Sequence, residues 1–223
     1  MSLKALIPVR AGSDRVKNKN IRPFAGSNLL EIKIKQLQRI NGIDEICVNS
    51  DCDNMLNLAK SLGATPIRRD PYFASSTVPM NEVWANMAAN MDCLDILYTN
   101  VTNPLVSDST YEKFIKQWKN RDTFGDYPFE SITSVHEVVE YLWEETKAIN
   151  YDPDHHPRSQ DLPRYYGLNF AINIIPKTIM VSRKNIVARE FLPIHLTKIE
   201  SIDIDEIEDF MLAETIYKAR KND

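Results

Sequence analysis

The sequence contains no apolar run approaching the ~20 residues that a helix needs to cross a bilayer. Its first residues, Met1-Ser2-Leu3-Lys4, lack the pattern of a secretory leader, because the next apolar stretch is only long enough for a strand. Cysteine is scarce: Cys47, Cys52 and Cys93 are an odd number without CxxC spacing. They argue against a disulfide framework and suit a reducing cytoplasm. Cys47 and Cys93 lie in or beside apolar segments and read as small core residues. A basic excess is also missing, with 27 Lys and Arg against 31 Asp and Glu, a formal net charge of −4. Such a chain gives no ground to expect nucleic-acid or membrane binding, so any affinity for a polyanion must come from a local cluster. Neither the P-loop pattern nor the dinucleotide-binding glycine pattern occurs. No Ser-His-Asp constellation is visible. His155-His156 has no third ligand at suitable spacing and reads as surface loop, while His136 and His195 sit at strand ends, structural or pocket-lining. Internal repeats, low-complexity tracts and linkers are absent.

What is present is an ordinary globular composition, 43% hydrophobic and 26% charged over 223 residues, enough for one sizeable core. Strand-like runs at Leu3–Val9, Ile43–Asn49, Thr65–Arg68, Leu94–Thr99 and Ser131–Val135 alternate with helical patterns. The helices fall at Leu29–Ile40, Asn54–Leu62, Met80–Met91 and Asp108–Lys119, the last with Asp108 or Ser109 as N-cap. This rhythm implies an α/β fold with a mainly parallel twisted sheet flanked by helices. It breaks after Val135. Glu140–Ile149 reads as a hairpin or strand pair. Tyr151–Arg164, with three prolines, reads as an irregular loop. Strand character returns at Leu168–Ile175, and Ile202–Arg220 begins with two aspartates and continues as a helix. Residues 1–223 form a single domain with an inserted excursion at about 137–166.

Two local features carry chemistry. The first strand runs into Ile7–Asn20, which holds Arg10, Arg15, Lys17 and Lys19, with Gly12 and Ser13 letting backbone N–H groups approach an anion. Ligands of parallel sheets bind outside the carboxyl ends of strands, where this loop lies. A guanidinium can clamp two phosphate oxygens and a lysine acts as a mobile charge. On charge alone a solvated loop fits equally well. In Ser201-Ile202-Asp203-Ile204-Asp205, alternation puts both carboxylates on one side. They suit Mg²⁺, an oxygen-seeking ion, or alternatively the positive end of the last helix.

Ile7, Pro8, Arg10, Ser13, Lys19 and Asn20 resemble, in register, the signature of the CMP-sugar synthetases, the acylneuraminate cytidylyltransferase family. The resemblance covers most of the chain. Asn49-Ser50-Asp51, Arg69–Thr77, Asn100–Leu105, Arg158–Pro163 and Asp203-Ile204-Asp205 resemble further family segments. It implies a Rossmann-like nucleotidyltransferase fold whose inserted excursion makes a dimer contact. It implies an enzyme that joins CMP from CTP to an acidic nine-carbon sugar, sialic acid or a related nonulosonate, and releases pyrophosphate. By the same likeness Arg10 and Lys19 are catalytic, holding the triphosphate. Ser13, Arg15, Asn20, Arg69, Ala74 and Ser76 are nucleotide-binding, with Arg15 standing in for a missing base. Asn100, Thr102, Arg158, Gln160 and Asn169 are sugar-binding, and Asp203 and Asp205 bind Mg²⁺. CTP, an acidic sugar and a second copy of the chain are the implied partners, and the cytoplasm the implied place. The sequence departs from the pattern at Val9, Asp14, Lys17, Val106 and Trp143. The last stands where sialate enzymes carry a lysine. A Kdo-type or other sugar nucleotidyltransferase, or a non-catalytic nucleotide-binding relative, would use the same loop. Lys19-Asn20, where Kdo enzymes have Lys-Pro, counts against the first.

Overall fold

Nine strands and six α-helices make up residues 2–12, 15–121 and 129–221, which the computed structural model describes. Strand β1 (Leu3–Pro8) pairs in parallel with β2 (Glu45–Ser50) and β4 (Asp95–Tyr98), and β2 with β3 (Thr65–Arg68). Beyond β4 lie β8 (Tyr165–Pro176), β5 (Ser131–Val138) and β9 (Phe191–His195), in the order β3-β2-β1-β4-β8-β5-β9. Strand β8 is antiparallel to both neighbours and β9 parallel to β5, so six strands share one direction and β8 opposes them. The mainly parallel sheet expected from the alternating pattern is therefore present.

Alternation along β1 buries both faces. Leu3, Ala5 and Ile7 point into one core with α1 (Leu29–Arg39), α2 (Asp53–Ser61), α4 (Asp108–Lys119) and α6 (Ile207–Lys221). Leu6 points into the other, with α3 (Met80–Ala89) and α5 (Lys177–Arg183). Helix α1 starts where Asn28 accepts the Glu31 amide at 2.9 Å. Helix α4 is capped by Ser107, whose hydroxyl accepts the Thr110 amide at 3.2 Å, and not by Asp108 or Ser109. Asp108 is instead bonded to Arg39 at 2.8 Å. The sequence patterns miss α5 and β9. Helix α5 has seven residues, fewer than the periodic signal needs. Strand β9 carries Pro193, which is tolerated because β9 is an edge strand paired only with β5.

The excursion between β5 and β8 holds a small hairpin, β6 (Trp143–Glu144) with β7 (Lys147–Ala148), then an irregular stretch with one 3-10 turn at Ser159–Asp161. Where β8 re-enters, its register against β5 shifts between Thr133 and Val135. The Ser134 hydroxyl donates to Asn169 Oδ1 at 2.6 Å and accepts the Ile172 amide at 3.0 Å. Asn169 Oδ1 also takes the Ala171 amide at 3.2 Å, closing a bulge in which Phe170 adopts φ +53°.

The segment 200–204 is fastened to the loop after β4 at three points. Glu200 Oε1 accepts the Ser107 amide (3.0 Å), the Ser107 hydroxyl (2.8 Å) and the Thr110 hydroxyl (2.6 Å). Asn103 Nδ2 donates to the Ile202 carbonyl (3.2 Å), and the Ile204 amide to the Thr102 carbonyl (2.9 Å). Burial alone pushes the Glu200 carboxyl up. The hydrogen bonds from Thr110, Ser107 and Thr197 outweigh it and bring the pKa down to about 2. A carboxylate with a depressed folded pKa contributes stability above its unfolded pKa and loses it as pH falls toward the folded one. Glu200→Gln is therefore expected to cost about 1–3 kcal/mol at pH 7. The deficit should shrink between about pH 4.5 and 2, the window bounded by the ordinary and shifted values. Urea midpoints for both proteins at pH 7, 4 and 3 measure it, and a pH-independent deficit contradicts the role.

Candidate active site

Because β1, β2, β3 and β4 run in one direction, the loops leaving their carboxyl ends gather on one edge of the sheet. Those after β1, β3 and β4 line a cleft of about 560 Å³. Arg10, Arg15, Lys19 and Asn20 come from the loop after β1; Arg69, Ala74 and Ser76 follow β3; Asn100 and Thr102 follow β4. Asp203 and Asp205 arrive from the segment ahead of α6.

The described parts of the loop after β1 are tied down on either side of Ser13 and Asp14. The Val9 amide extends the β1–β2 ladder by bonding the Asn49 carbonyl at 3.0 Å, and the Ala11 amide donates to Asp51 Oδ1 at 3.0 Å. Gly12 has φ +72°, which glycine adopts without strain. Asn18, at φ +56°, turns the chain into the 3-10 turn Lys19–Ile21. The buried Asn20 returns its amide to the Arg10 carbonyl at 3.1 Å. Arg10 Nη1 in turn donates to the Ala74 carbonyl at 2.9 Å, joining the basic loop to the segment after β3.

Arg69 is 4% exposed, with its guanidinium on Asn49: Nε to Oδ1 at 2.6 Å and Nη2 to the carbonyl at 2.9 Å. Burial pulls its pKa below the ordinary value. It holds the β2 and β3 loops together as a wall of the cleft. The rest of that side is apolar: Phe73, Val78, Met80, Val83, Met87 and Tyr98. The sequence patterns did not single these out. Met80, Val83 and Met87 stand on one helix face, and that spacing is the same for a core and for a cleft wall.

At the other end, cations and carboxylates interlock. Arg15 Nη2 donates to Asp205 Oδ1 at 2.6 Å, and Lys19 Nζ to the Ile204 carbonyl. Burial lowers the pKa of Lys19, opposed by Asp205 and Asp203. Burial raises the Asp203 carboxyl; the Thr102 hydroxyl opposes that shift, and Asp205 reinforces it. Asp203 Oδ1 is buried with no hydrogen-bond partner. Neither aspartate caps α6. Asp209, in its first turn, reaches back to the amides of Asp205 (3.0 Å) and Glu206 (2.9 Å), the reciprocal half of a capping box. Both carboxylates are thus free of the helix dipole's service. Among the described residues no group of three or more His, Cys, Asp or Glu could hold a metal by itself.

The remaining sugar-site expectations fall elsewhere. Arg158 is exposed and pairs with Asp161 at 2.8 Å, and Gln160 is exposed beside it; neither lines the cleft. Asn169 is buried in the β8 bulge, also outside the cleft lining. Ser13 and Asp14 lie outside the described residues.

The family model described as "Cytidylyltransferase" matches residues 4–222. The pseudaminic acid cytidylyltransferase of Campylobacter jejuni is 27% identical over 227 residues, covering 96% of this chain and 95% of that one. The CMP-N,N'-diacetyllegionaminic acid synthase of Legionella pneumophila is 26% identical, covering 98% and 97%. In fold, the chain superposes on a CMP:2-keto-3-deoxy-manno-octonic acid synthetase complexed with CTP. That match has a TM-score of 0.71 and 13% identity, over 99% of this chain and 100% of the other.

The two guanidiniums on opposite sides of the cleft should behave differently when removed. Arg69→Ala leaves Asn49 Oδ1 buried and without its partner, an expected loss of about 1–3 kcal/mol. Arg15→Ala breaks an exposed ion pair, an expected change within about 0.5 kcal/mol. Equal shifts in chemical-denaturation midpoint for the two variants would contradict this division.

Proposed function

The chain belongs to the cytidylyltransferase family, and from that premise we propose that it transfers CMP from CTP to an acidic nine-carbon sugar of the nonulosonate type, releasing pyrophosphate. One observation carries the reading: the basic loop and the acid pair, some 190 residues apart in sequence, meet in one cleft through Arg15 and Asp205. The names of the relatives support an acidic nine-carbon acceptor, since they act on pseudaminic and N,N'-diacetyllegionaminic acids.

In this reading the triphosphate lies along Arg10, Arg15 and Lys19, and the nucleoside runs toward Arg69, Ala74 and Ser76. Asn100 and Thr102 face the reacting centre from the loop after β4. The anomeric hydroxyl oxygen of the sugar bonds to the α-phosphorus as its proton passes to water, the α–β phosphoanhydride bond breaks, and pyrophosphate leaves with that electron pair. Arg10 and Lys19 neutralise the charge that grows on the leaving group, and the cleft orients the reactants. The depressed pKa of Lys19 reflects a partly desolvated ammonium, which a triphosphate would compensate.

Asp203 and Asp205 fit a divalent ion such as Mg²⁺. The unpartnered, buried Asp203 Oδ1 and its raised carboxyl pKa mark an oxygen in want of a cation. Two carboxylates leave the other coordination positions to substrate phosphates and water, the usual habit of that ion. When bound, it supplies neutralisation of phosphate charge.

The relatives' class, the absence among the described residues of a helix long and apolar enough to cross a membrane, and the free cysteines support a cytoplasmic enzyme. A homodimer is part of the same reading. Trp143, Ile149 and Leu168 stand exposed on and beside the excursion, and Arg158 lies outside its own chain's cleft, where a partner's cleft could receive it.

Pyrophosphate release from CTP, assayed with pseudaminic, legionaminic and N-acetylneuraminic acids plus Mg²⁺, tests the reaction. Release with at least one acid is expected, and ATP in place of CTP should give none. No release with any acid sinks the proposal. Lys19→Ala should slow single-turnover chemistry at saturating CTP by roughly 10²–10³-fold.

A further inference from the structure

Lys33 is a lysine with no exposed surface, sitting in the middle of α1. Its Nζ has three acceptors: the Tyr111 hydroxyl at 2.7 Å, the Asn103 carbonyl at 3.1 Å and Gln36 Oε1 at 3.1 Å. The Thr99 hydroxyl donates to the Ala171 carbonyl at 2.7 Å and lies 2.7 Å from the Tyr111 hydroxyl. Thr99 has then spent its proton, so Tyr111 donates to Thr99 and accepts from Lys33. Three acceptors match the three protons of an ammonium group. Among the described residues no carboxylate bonds this group. Burial lowers its pKa to about 7, against a small opposing pull from Asp108. Burying an ammonium this way is costly, and a Met of similar length would fill the same volume without that cost.

The three acceptors show what the cost maintains. Asn103 belongs to the loop after β4 that carries Asn100 and Thr102 into the cleft. One turn along α1, the Gln36 amide holds the Val106 carbonyl of the same loop at 2.7 Å. That loop grips the acid pair's segment through Asn103 to Ile202 and Thr102 to Ile204. A continuous path of hydrogen bonds thus leads from Lys33 to both sides of Asp203, though Lys33 does not line the cleft.

We propose that Lys33 is a positioning residue for the reaction: by pinning Asn103 from behind, it fixes the 99–106 loop and, through it, the placement of Asp203 and Asp205 toward a divalent ion. This rests on the reading of those aspartates as ion ligands. The nucleotide grip of Arg10 and Arg69 does not pass through the same loop, because it is tied to Ala74 and Asn49. Lys33 therefore governs ion affinity and leaves the nucleoside wall nearly unchanged, while the triphosphate cations Lys19 and Arg15 share the segment that it fixes.

The test uses the full chain with Lys33→Met, and Tyr111→Phe as a milder variant that removes one of the three acceptors together with the hydrogen bond Tyr111 donates to Thr99. For Lys33→Met, the Mg²⁺ concentration giving half-maximal pyrophosphate release should rise about tenfold, the scale on which outer-shell partners of a metal site act. CMP affinity in EDTA, by calorimetry, should change less than about twofold, since CMP lacks the β- and γ-phosphates that Lys19 and Arg15 would meet. Tyr111→Phe should move the Mg²⁺ midpoint the same way by about threefold, and the double variant should fall short of the product, since the two share one network. Hydrogen exchange gives a readout independent of activity. The Ile204 amide should exchange faster in Lys33→Met, whereas the Val9 amide, bonded to Asn49, should not. A lower melting temperature with an unchanged Mg²⁺ midpoint and unchanged Ile204 exchange overturns the inference and leaves the cytidylyltransferase reading intact. Wild-type protein that releases no pyrophosphate overturns that reading instead. Exchange at Ile204 then still decides whether Lys33 fixes the segment.

Discussion

The hydrogen bond from the Ile204 amide to the Thr102 carbonyl, 2.9 Å long, joins two parts of the chain that the sheet does not join. The loops after β1, β2, β3 and β4 reach the same edge because those strands are parallel. Asp203 and Asp205 reach it only because residues 200–204 are laid along the loop after β4. Glu200 and the Asn103 side chain add two more ties on the same seam. With the seam in place, Lys19 can bond the Ile204 carbonyl and Arg15 can bond Asp205, and the basic loop acquires a defined opposite wall. Without it the cations would be a charged loop in solvent.

This dependence explains which parts of the site were legible in the sequence. Arg10, Lys19 and Arg69 follow strands whose apolar runs are unmistakable, and a parallel sheet places such loops together whatever their composition. Asp203 and Asp205 were visible as a pair, but their alternative as helix caps could be removed only by finding Asp209 at the amides. Arg158 and Gln160 sit on the excursion, whose position no ladder to the main sheet determines, and there sequence likeness did not translate into cleft lining. Asn169 shows a different difficulty. Its amide closes a bulge through Ser134 and the Ala171 amide, a demand that arises only when two strands slip register.

The fold was more legible than its seams. Strands β1 to β4 and helices α1 to α4 came from periodicity nearly at their observed bounds. Edge strand β9 escaped because Pro193 interrupts its pattern, and α5 because seven residues carry too little signal. The N-cap of α4 lies one or two residues ahead of the expected Asp108 or Ser109, since Ser107, Asp108 and Ser109 are all competent caps. Tertiary context chose among them: Glu200 and Thr110 engage Ser107, while Arg39 and Gln36 draw Asp108 away. Lys33 is the sharpest instance. A lysine in an apolar stripe looks like a break in the pattern. Its reason appears only once Tyr111 and Asn103, some 70 residues on, are folded against it.

The two ends of the cleft are held with different firmness, and chemistry explains why. Arg69 is buried on Asn49, and its removal would strand the buried Oδ1 of that side chain, so this wall of the cleft is firmly tied. Arg15 and Asp205 are exposed, with side chains 62% and 50% accessible, and such a pair is worth at most about 1 kcal/mol. A weak pair is the right kind here. In the proposed reaction a triphosphate would take Arg15 and a divalent ion Asp205 at little cost, each exchanging one partner for a more highly charged one. Had the same pair been buried as Arg69 is, substrate would first have to break a desolvated interaction. A firmly tied wall at Arg69 and exchangeable electrostatics at Arg15 therefore follow from one feature, the depth at which each arginine lies.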